Sequence, residues 1–406
     1  MAQLRGSKKE EKDEGGGKTS AGKEERTSPT VALFIETSRE FGRGLLYGIA
    51  RYSRLHGPWK VYRRPAALDS SLPDWQGSRI DGAIVRDVKM FDDLTRAGFP
   101  VIFAQHHRES CAPFPSITTD SATIGRMGAE HLLDRGFQNF AYCGLDDFIW
   151  SRLRCQYFAE RIGQEGLRVE AYGQPRSRSK RSWKTEQYGV ADWLRKLPKP
   201  VGLMCCNDDR ALQVLEACKL AELYVPDDVA VLGVDNDVLV CDLSDPPLSS
   251  IALNTEAAGY EAARLLGELM GGCRMNSQQI VVTATHIATR MSTDIMAVSD
   301  AEISAAVRFI RNNAGRFIQV DDVVRATALS RRVLEKRFRG VLRRSIHREI
   351  RRVRVNYIVQ LLVATDMSVT EIAQKSGFDG IEHISRYFRK ETGMSLQGYR
   401  KRYSRR

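Results

Sequence analysis

Four clusters of polar side chains stand directly after apolar runs of this sequence: Glu36-Thr37-Ser38-Arg39, Arg86-Asp87, Asn207-Asp208-Asp209 and Asp235-Asn236-Asp237. Carboxylates, planar amides and guanidinium groups each present two hydrogen-bonding atoms side by side. Each can therefore pair with two neighbouring hydroxyls of a carbohydrate, and an aromatic such as Phe41 or Trp150 can cover a sugar face. The same residue types also cap helices that follow a strand, so both uses are open here. A second chemically able set lies near the C-terminus, where Arg331, Arg332, Glu335, Lys336 and Arg339, then Ile381, Glu382, Ser385, Arg386 and Arg389, recur at helical spacing. Arginine and lysine on a helix face hold phosphates or read guanine edges, and glutamate accepts from cytosine or excludes other bases.

Covalent chemistry finds no matching arrangement. Gly42-Arg43-Gly44-Leu45-Leu46-Tyr47-Gly48 follows an apolar run but lacks the spacing of a dinucleotide fingerprint, and neither a Walker loop nor a nucleophile elbow occurs. A strand would point His106 and His107 to opposite faces, which argues against a shared metal. Cys111, Cys143, Cys155, Cys205, Cys206, Cys218, Cys241 and Cys273 form no Cys-x-x-Cys pair and no zinc spacing, so reduced, buried thiols are expected. The reading is a protein that is not an enzyme and uses no cofactor or metal.

The elements that must position these residues divide the chain. Residues 1–29 mix Lys, Glu, Gly and Ser with almost no large apolar side chain, and we expect a disordered tail there. From Val31 apolar strands alternate with helices. Strands are predicted at Val31–Ile35, Asp81–Val85, Val101–Ala104, Phe140–Cys143, Val201–Cys205 and Val229–Val234, and helices at Arg43–His56, Ser121–Arg135, Arg152–Gln164 and Asp209–Ala221. Continuous apolar strands separated by helices imply a parallel sheet covered on both faces, with ligands at the carboxyl ends of its strands. The sensor is expected over residues 30–291, a linker over 292–300 and a helical domain over 301–406. Helices are predicted there at Ala301–Asn312, Val320–Ala328, Arg331–Arg339, Ile346–Ala364, Val369–Lys375, Ile381–Thr392 and near Leu396.

Charge separates the same two parts. The net charge is +12, yet residues 299–406 alone hold 24 Lys and Arg against 11 Asp and Glu. All of the positive excess lies there, as in a module for a polyanion. Two stretches, Val320–Phe338 and Val369–Phe388, have helix-turn-helix grammar. In the second, Ala373 allows close helix crossing and Gly377 supplies a left-handed turn residue. The first has Val324 and Ala328 at those places, which predicts a turn that is either strained or slightly different in form, at a cost of about 1 kcal/mol, with Ser330 capping the helix behind it and Val333, Leu334 and Phe338 forming its apolar face. Between the units, Ile346, Ile350, Val353, Tyr357 and Leu361 form one stripe, with Arg348, Arg351, Arg352 and Arg354 largely off it. That helix would reach about 30 Å, close to one turn of DNA.

On these motifs, and on the closing run Phe388-Arg-Lys-Glu-Thr-Gly-Met-Ser-Leu-Gln-Gly-Tyr399, residues 299–406 resemble an AraC-type DNA-binding domain. The stretches Leu203–Ala211, Val225–Asn236, Pro247–Ile251 and Gly259-Tyr-Glu-Ala-Ala263 resemble the effector core shared by lac-repressor-like regulators and periplasmic sugar-binding proteins. That resemblance covers about residues 29–292 and implies two α/β lobes closing over a ligand, with Asn207, Asp235 and Arg154 as contacts. The order of the two domains, with Gly57-Pro58-Trp59, Trp183 and Ala191-Asp192-Trp193-Leu194, is similar to that of bacterial sugar-operon regulators. It implies operator DNA, a sugar effector (xylose foremost), a homodimer and RNA polymerase as partners. Activation is the implied sign; a repressor, a sensor of another monosaccharide and a sugar-uptake subunit are the alternatives. With no signal-like segment or membrane-length apolar run, the expected location is the cytoplasm.

Overall fold

Alternation of strand and helix builds two sheets, not one. In a computed structural model, residues 28–63, 80–86, 91–94, 96, 98–108, 110–174, 183–273, 278–295, 300–342 and 344–403 are described. The expected tail up to residue 27, Asp87 and residues 296–299 of the expected linker lie outside them. The first lobe holds β1 (Thr30–Phe34), α1 (Glu40–His56), β2 (Lys60–Arg63), β3 (Gly82–Arg86), α2 (Phe91–Leu94), β4 (Val101–Ala104) and β5 (Ser116–Thr119). The chain crosses into the second lobe with α3 (Ser121–Leu133) and β6 (Asn139–Cys143). There follow α4 (Ile149–Gly163), β7 (Val169–Ala171), α5 (Trp183–Lys196), β8 (Val201–Cys205), α6 (Asp208–Leu220), β9 (Val229–Asp235), α7 (Val238–Leu243) and β10 (Ser249–Leu253). It returns for α8 (Thr255–Met270) and β11 (Gln279–Val282), then crosses again to lay β12 (Ala284–Ala288) on the second sheet.

The sheets run β11-β5-β4-β3-β1-β2 and β12-β10-β9-β8-β6-β7. Their ladders are parallel except β12 against β10. The strands absent from the sequence reading are polar or short. β5 is Ser-Ile-Thr-Thr, and β10 opens with Ser249 and Ser250, both fully buried because their hydroxyls donate to Arg290 O at 2.9 Å and Asp208 Oδ1 at 2.5 Å. The glycine run of α1 is explained by packing: a Cβ on Gly48 would lie 2.0 Å from Glu256 O, and one on Gly259 2.1 Å from Leu45 O. Glycine lets α1 and α8 touch backbone to backbone.

Among the described residues seven helices follow: α9 (Ala301–Asn312), α10 (Val320–Arg325), α11 (Arg331–Leu342), α12 (Ile346–Ala364), α13 (Val369–Lys375), α14 (Ile381–Thr392) and α15 (Leu396–Tyr403). Two small cores form. One gathers Ile303, Val307, Val323, Leu334, Phe338 and Ile350, the other Ile358, Leu362, Ile372, Ile384, Phe388 and Leu396. α12 contributes to both. Its start is set by Ser345, whose hydroxyl accepts from Arg348 N, and that of α13 by Ser368 and Glu371 in a reciprocal capping box.

Three expectations are corrected. α10 ends at Arg325, and the turn behind it contains no left-handed residue: the Ala328 N–H instead donates to Glu302 Oε2 from α9 at 2.7 Å. Val333 is 42% exposed, so the apolar face of α11 is Leu334, Phe338 and Leu342. Arg354 is buried, donating to Ser376 O at 2.7 Å between the rings of Phe317 and Phe378. Within the expected linker, Ser292 and Thr293 are fully buried against the second lobe, Ser292 Oγ donating to Val231 O at 2.7 Å.

Candidate functional site

The carboxyl ends of β3, β4, β5, β8 and β9 meet across the two lobes. They present Arg86, Gln105, Thr119, Asn207 and Asp235 to one cleft that opens to solvent. Arg39 and Phe41 from the start of α1, Ser121 from α3, and Ile149, Trp150, Leu153 and Arg154 from α4 complete the lining.

Arg86 and Arg154 are almost fully buried. Arg86 Nη2 lies 3.3 Å from Glu36 Oε1 and 3.0 Å from His106 Nδ1, and its guanidinium sits 4.7 Å from the centre of the Phe41 ring. Burial, with Arg86 alongside, pushes the His106 imidazole down to about 2, so it stays neutral. Its Nδ1 can then accept from Arg86 and from Trp150 Nε1 at 3.3 Å, which places both cleft residues. Arg154 donates to Cys206 O and stacks 4.9 Å from the Trp150 ring centre. Its Nε, like Glu36 Oε2, is buried without a hydrogen-bond partner among the described residues.

Asp235 ends β9 with φ +106°, a conformation that costs a side-chain-bearing residue roughly 1–3 kcal/mol. Such strain persists where a site needs the side chain held in one direction. Burial raises its carboxyl to about 6, against the pull of Arg154 and Arg86. Asn207 answers the question left open by its type: its Oδ1 caps α6, accepting from Arg210 N at 3.0 Å, while its amide group remains for the cleft it lines. The lobes are bridged at the rim by Arg39 to Asp209 and Arg43 to Asp237, each at 2.6 Å.

Not every expected contact reaches the cleft. Asp208 faces the interior of the second lobe. Its oxygens accept from Ser250 Oγ at 2.5 Å, Asp237 N at 2.7 Å and Cys241 Sγ at 3.6 Å, and burial holds its carboxyl well above the usual range. It is a structural residue and not a lining one. Glu36 stands behind Arg86 and orients it. Asp87 is outside the described residues. Gln105, Thr119, Ser121, Ile149 and Leu153 were missed. Gln105 follows a predicted strand and was open to the same rule, whereas Thr119 and Ser121 flank β5, whose polar sequence hides it. His106 and His107 lie past the end of β4 with rings 4.7 Å apart, not on opposite strand faces. Seven cysteines are buried or half-buried, but Cys273 is exposed.

On the C-terminal domain, α11 and α14 turn Leu334, Phe338, Ile384 and Phe388 inward and leave the opposite faces exposed. Arg332, Lys336 and Arg339 are exposed on α11, as are Ile381, Glu382, Arg386 and Arg389 on α14, with Ser385 half-buried. None of these basic groups makes an ion pair among the described residues. Arg331 differs, being held by Asp321 at 3.0 Å and Glu335 at 3.1 Å. His383, exposed in the first turn of α14, was not foreseen.

Residues 129–293 match the periplasmic binding protein-like domain family and residues 323–402 a helix-turn-helix domain family. The chain is 29% identical over 382 residues to the xylose operon regulatory protein of Escherichia coli K12, covering 91% of this chain and 96% of that one. The protein of the same name from Haemophilus influenzae is 29% identical over 387 residues, 91% and 97% of the two chains. A solved structure described as the xylose-binding transcription activator xylR superposes with a TM-score of 0.59 at 27% identity, over 93% of this chain and 99% of that one. The lac repressor dimer bound to operator shares the fold of the two lobes, with a TM-score of 0.52 at 18% identity over 66% of this chain and 95% of that one. With its cleft, its paired helix-turn-helix units and its likeness to these proteins along nearly the whole length, the chain is similar to transcriptional regulators that carry a periplasmic binding protein-like domain ahead of a helix-turn-helix domain.

Proposed function

We propose that this regulator is a cytoplasmic, homodimeric activator that responds to xylose and brings RNA polymerase to sugar-use genes. One observation carries the choice of a neutral sugar: the arginines of the cleft are matched by carboxylates, Arg39 by Asp209, Arg86 by Glu36 and Arg154 by the facing charge of Asp235. Such a site has little net charge to offer an anion but many paired donors and acceptors for hydroxyls. The choice of xylose among neutral sugars rests on the relatives. Arg86, Arg154, Asn207 and Asp235 are assigned as ligand contacts with Trp150 as the ring platform. Arg332, Lys336, Arg339, Ile381, Glu382, Ser385, Arg386 and Arg389 form the DNA face. The sensor begins near residue 30 and extends through Thr293, so the linker spans about 294–300.

The sugar shifts operator binding only through unequal affinity for two arrangements of the lobes, and the rim pairs Arg39–Asp209 and Arg43–Asp237 are made when the lobes are together. Calorimetric titration of the full chain with xylose, arabinose, ribose and glucose tests the assignment. Tightest binding by xylose, with a change in affinity for a selected operator duplex, supports it. Preference for another sugar moves the effector, and release from DNA on sugar binding reverses the sign.

A further inference from the structure

One helix reaches from the cleft to the DNA-binding domain. Ser121, in the first turn of α3, lines the cleft, and Asp134 caps the other end of the helix. Thirteen residues at about 1.5 Å each put those ends about 20 Å apart. At the far end Asp134 enters a cluster of charges from the other domain. Arg344 donates to its carboxylate and, through Nη2, to its backbone carbonyl at 3.0 Å, while Arg352 Nη1 lies 2.5 Å from its second oxygen. Glu349, fully buried, takes two bonds from Arg352 at 2.8 and 3.0 Å and lies 2.6 Å from Arg344 Nε.

The cluster therefore holds two carboxylates and two guanidiniums, each carboxylate shared by both arginines. Three members come from the DNA-binding domain and only Asp134 from the sensor. With Arg344 12%, Asp134 15% and Arg352 27% exposed, the pairing is partly shielded from water and salt, and loss of one member leaves charge uncompensated. The same turn also grips the exit of the sensor: Arg135 Nε donates to Thr293 O at 2.6 Å, and His131 Nε2 is 2.9 Å from Thr293 Oγ1. Arg344 and Arg352 belong to α12 and the turn before it, immediately behind recognition helix α11.

We propose that Asp134 is the positioning residue through which closure of the cleft sets the first helix-turn-helix unit. α3 moves as a rigid body, so displacement at Ser121 is delivered to Arg344 and Arg352. This rests on the reading of the chain as a sugar-responsive regulator. The test uses the full chain as wild type, Asp134→Asn, Asp134→Glu and Arg352→Gln. Xylose affinity is measured by calorimetry, affinity for a duplex selected from random DNA is measured with and without xylose, and amide exchange of residues 344–352 is followed without sugar.

In Asp134→Asn and Arg352→Gln we expect xylose affinity within about threefold of wild type and exchange at 344–352 faster by about tenfold or more. The effect of xylose on duplex affinity should shrink from about tenfold or more to under about threefold. Asp134→Glu keeps the charge and should restore both readouts, which a merely structural role of the aspartate would not require. Wild-type exchange in Asp134→Asn, or a wild-type xylose effect on its DNA binding, overturns the proposal. If wild type itself does not respond to xylose, the choice of effector has failed and exchange alone decides: unchanged exchange overturns the role of Asp134, and quickened exchange restored by glutamate upholds it.

Discussion

Arginine serves opposite ends in the cleft and on the recognition helices. In the cleft Arg39 and Arg86 are paired with Asp209 and Glu36, while Arg154 is held by Cys206 O and the Trp150 ring and faces the charge of Asp235, so little positive charge is left over. On α11 and α14, Arg332, Arg339, Arg386 and Arg389 are exposed and make no ion pair among the described residues. A neutral polyol gains from donors and acceptors held still; a polyanion gains from cations whose charge remains available. The identity of a ligand thus follows from the local surplus of charge and not from the number of arginines.

The largest expected effect separates these two uses by salt. Between 50 and 200 mM salt, affinity for duplex DNA should fall by roughly 10³-fold, because each phosphate contact releases condensed cations, while xylose affinity changes by less than about twofold. Filter binding and calorimetry on the same preparation check both halves. A sugar affinity that follows the DNA curve would break the comparison, since it would mean the cleft carries unpaired charge.

Next in size is Asp235→Ala, which removes the carboxylate held at positive φ over the cleft. Xylose affinity should drop about 100-fold, equivalent to the roughly 3 kcal/mol of a charge-assisted pair of hydrogen bonds, with DNA affinity in the absence of sugar within about threefold of wild type. Unchanged sugar binding would remove Asp235 from the site.

The raised carboxyl of Asp235 gives a third, smaller effect whose sign can be worked out. Its ordinary range is near 4, so between about 4 and 6 the folded protein holds a proton that the unfolded chain has lost. That contribution to stability is full below about 4 and is lost as pH rises through 6. On the proposed assignment of the carboxylate as acceptor, sugar binding runs the other way: affinity should rise about tenfold from pH 5 to 7 and level off above. Asp235→Asn should flatten both curves. A sugar affinity independent of pH in the wild type would show that the carboxylate does not accept from the ligand.

How much of this was legible in the sequence depends on the distance between cause and effect along the chain. α9, α12, α13 and α14 run between the predicted residues because caps such as Ser345 and Ser368 and the apolar periodicity act within a turn or two. The strand-end rule likewise put Arg86, Asn207 and Asp235 in the cleft. It failed for Asp208, whose partner Ser250 lies 42 residues away on a strand with a polar start. Nothing near Arg344 or Arg352 in the chain points to their partner, because the residue that engages both, Asp134, is some two hundred positions earlier. Val333 read as core because α11 was assumed to bury more of its surface than α9 and α12 cover.

The two helix-turn-helix turns give the smallest and sharpest contrast. In the second unit Gly377 has φ +70°, and a Cβ there would sit 3.1 Å from Gly315 O, so Gly377→Ala should cost about 1–2 kcal/mol. In the first unit Ala328 needs no left-handed backbone. Its N–H is engaged by Glu302, whose carboxylate does for that turn what the glycine does for the other. Replacing Glu302 by Ala should therefore cost about 1 kcal/mol, and Ala328→Gly should lower stability by about 0.5 kcal/mol through added freedom of the unfolded chain. Thermal unfolding of the full chain, with amide exchange to localise the loss to α10 and α11, measures both. A gain in stability from Ala328→Gly would mean that the first turn is strained after all and that Glu302 holds a conformation alanine disfavours.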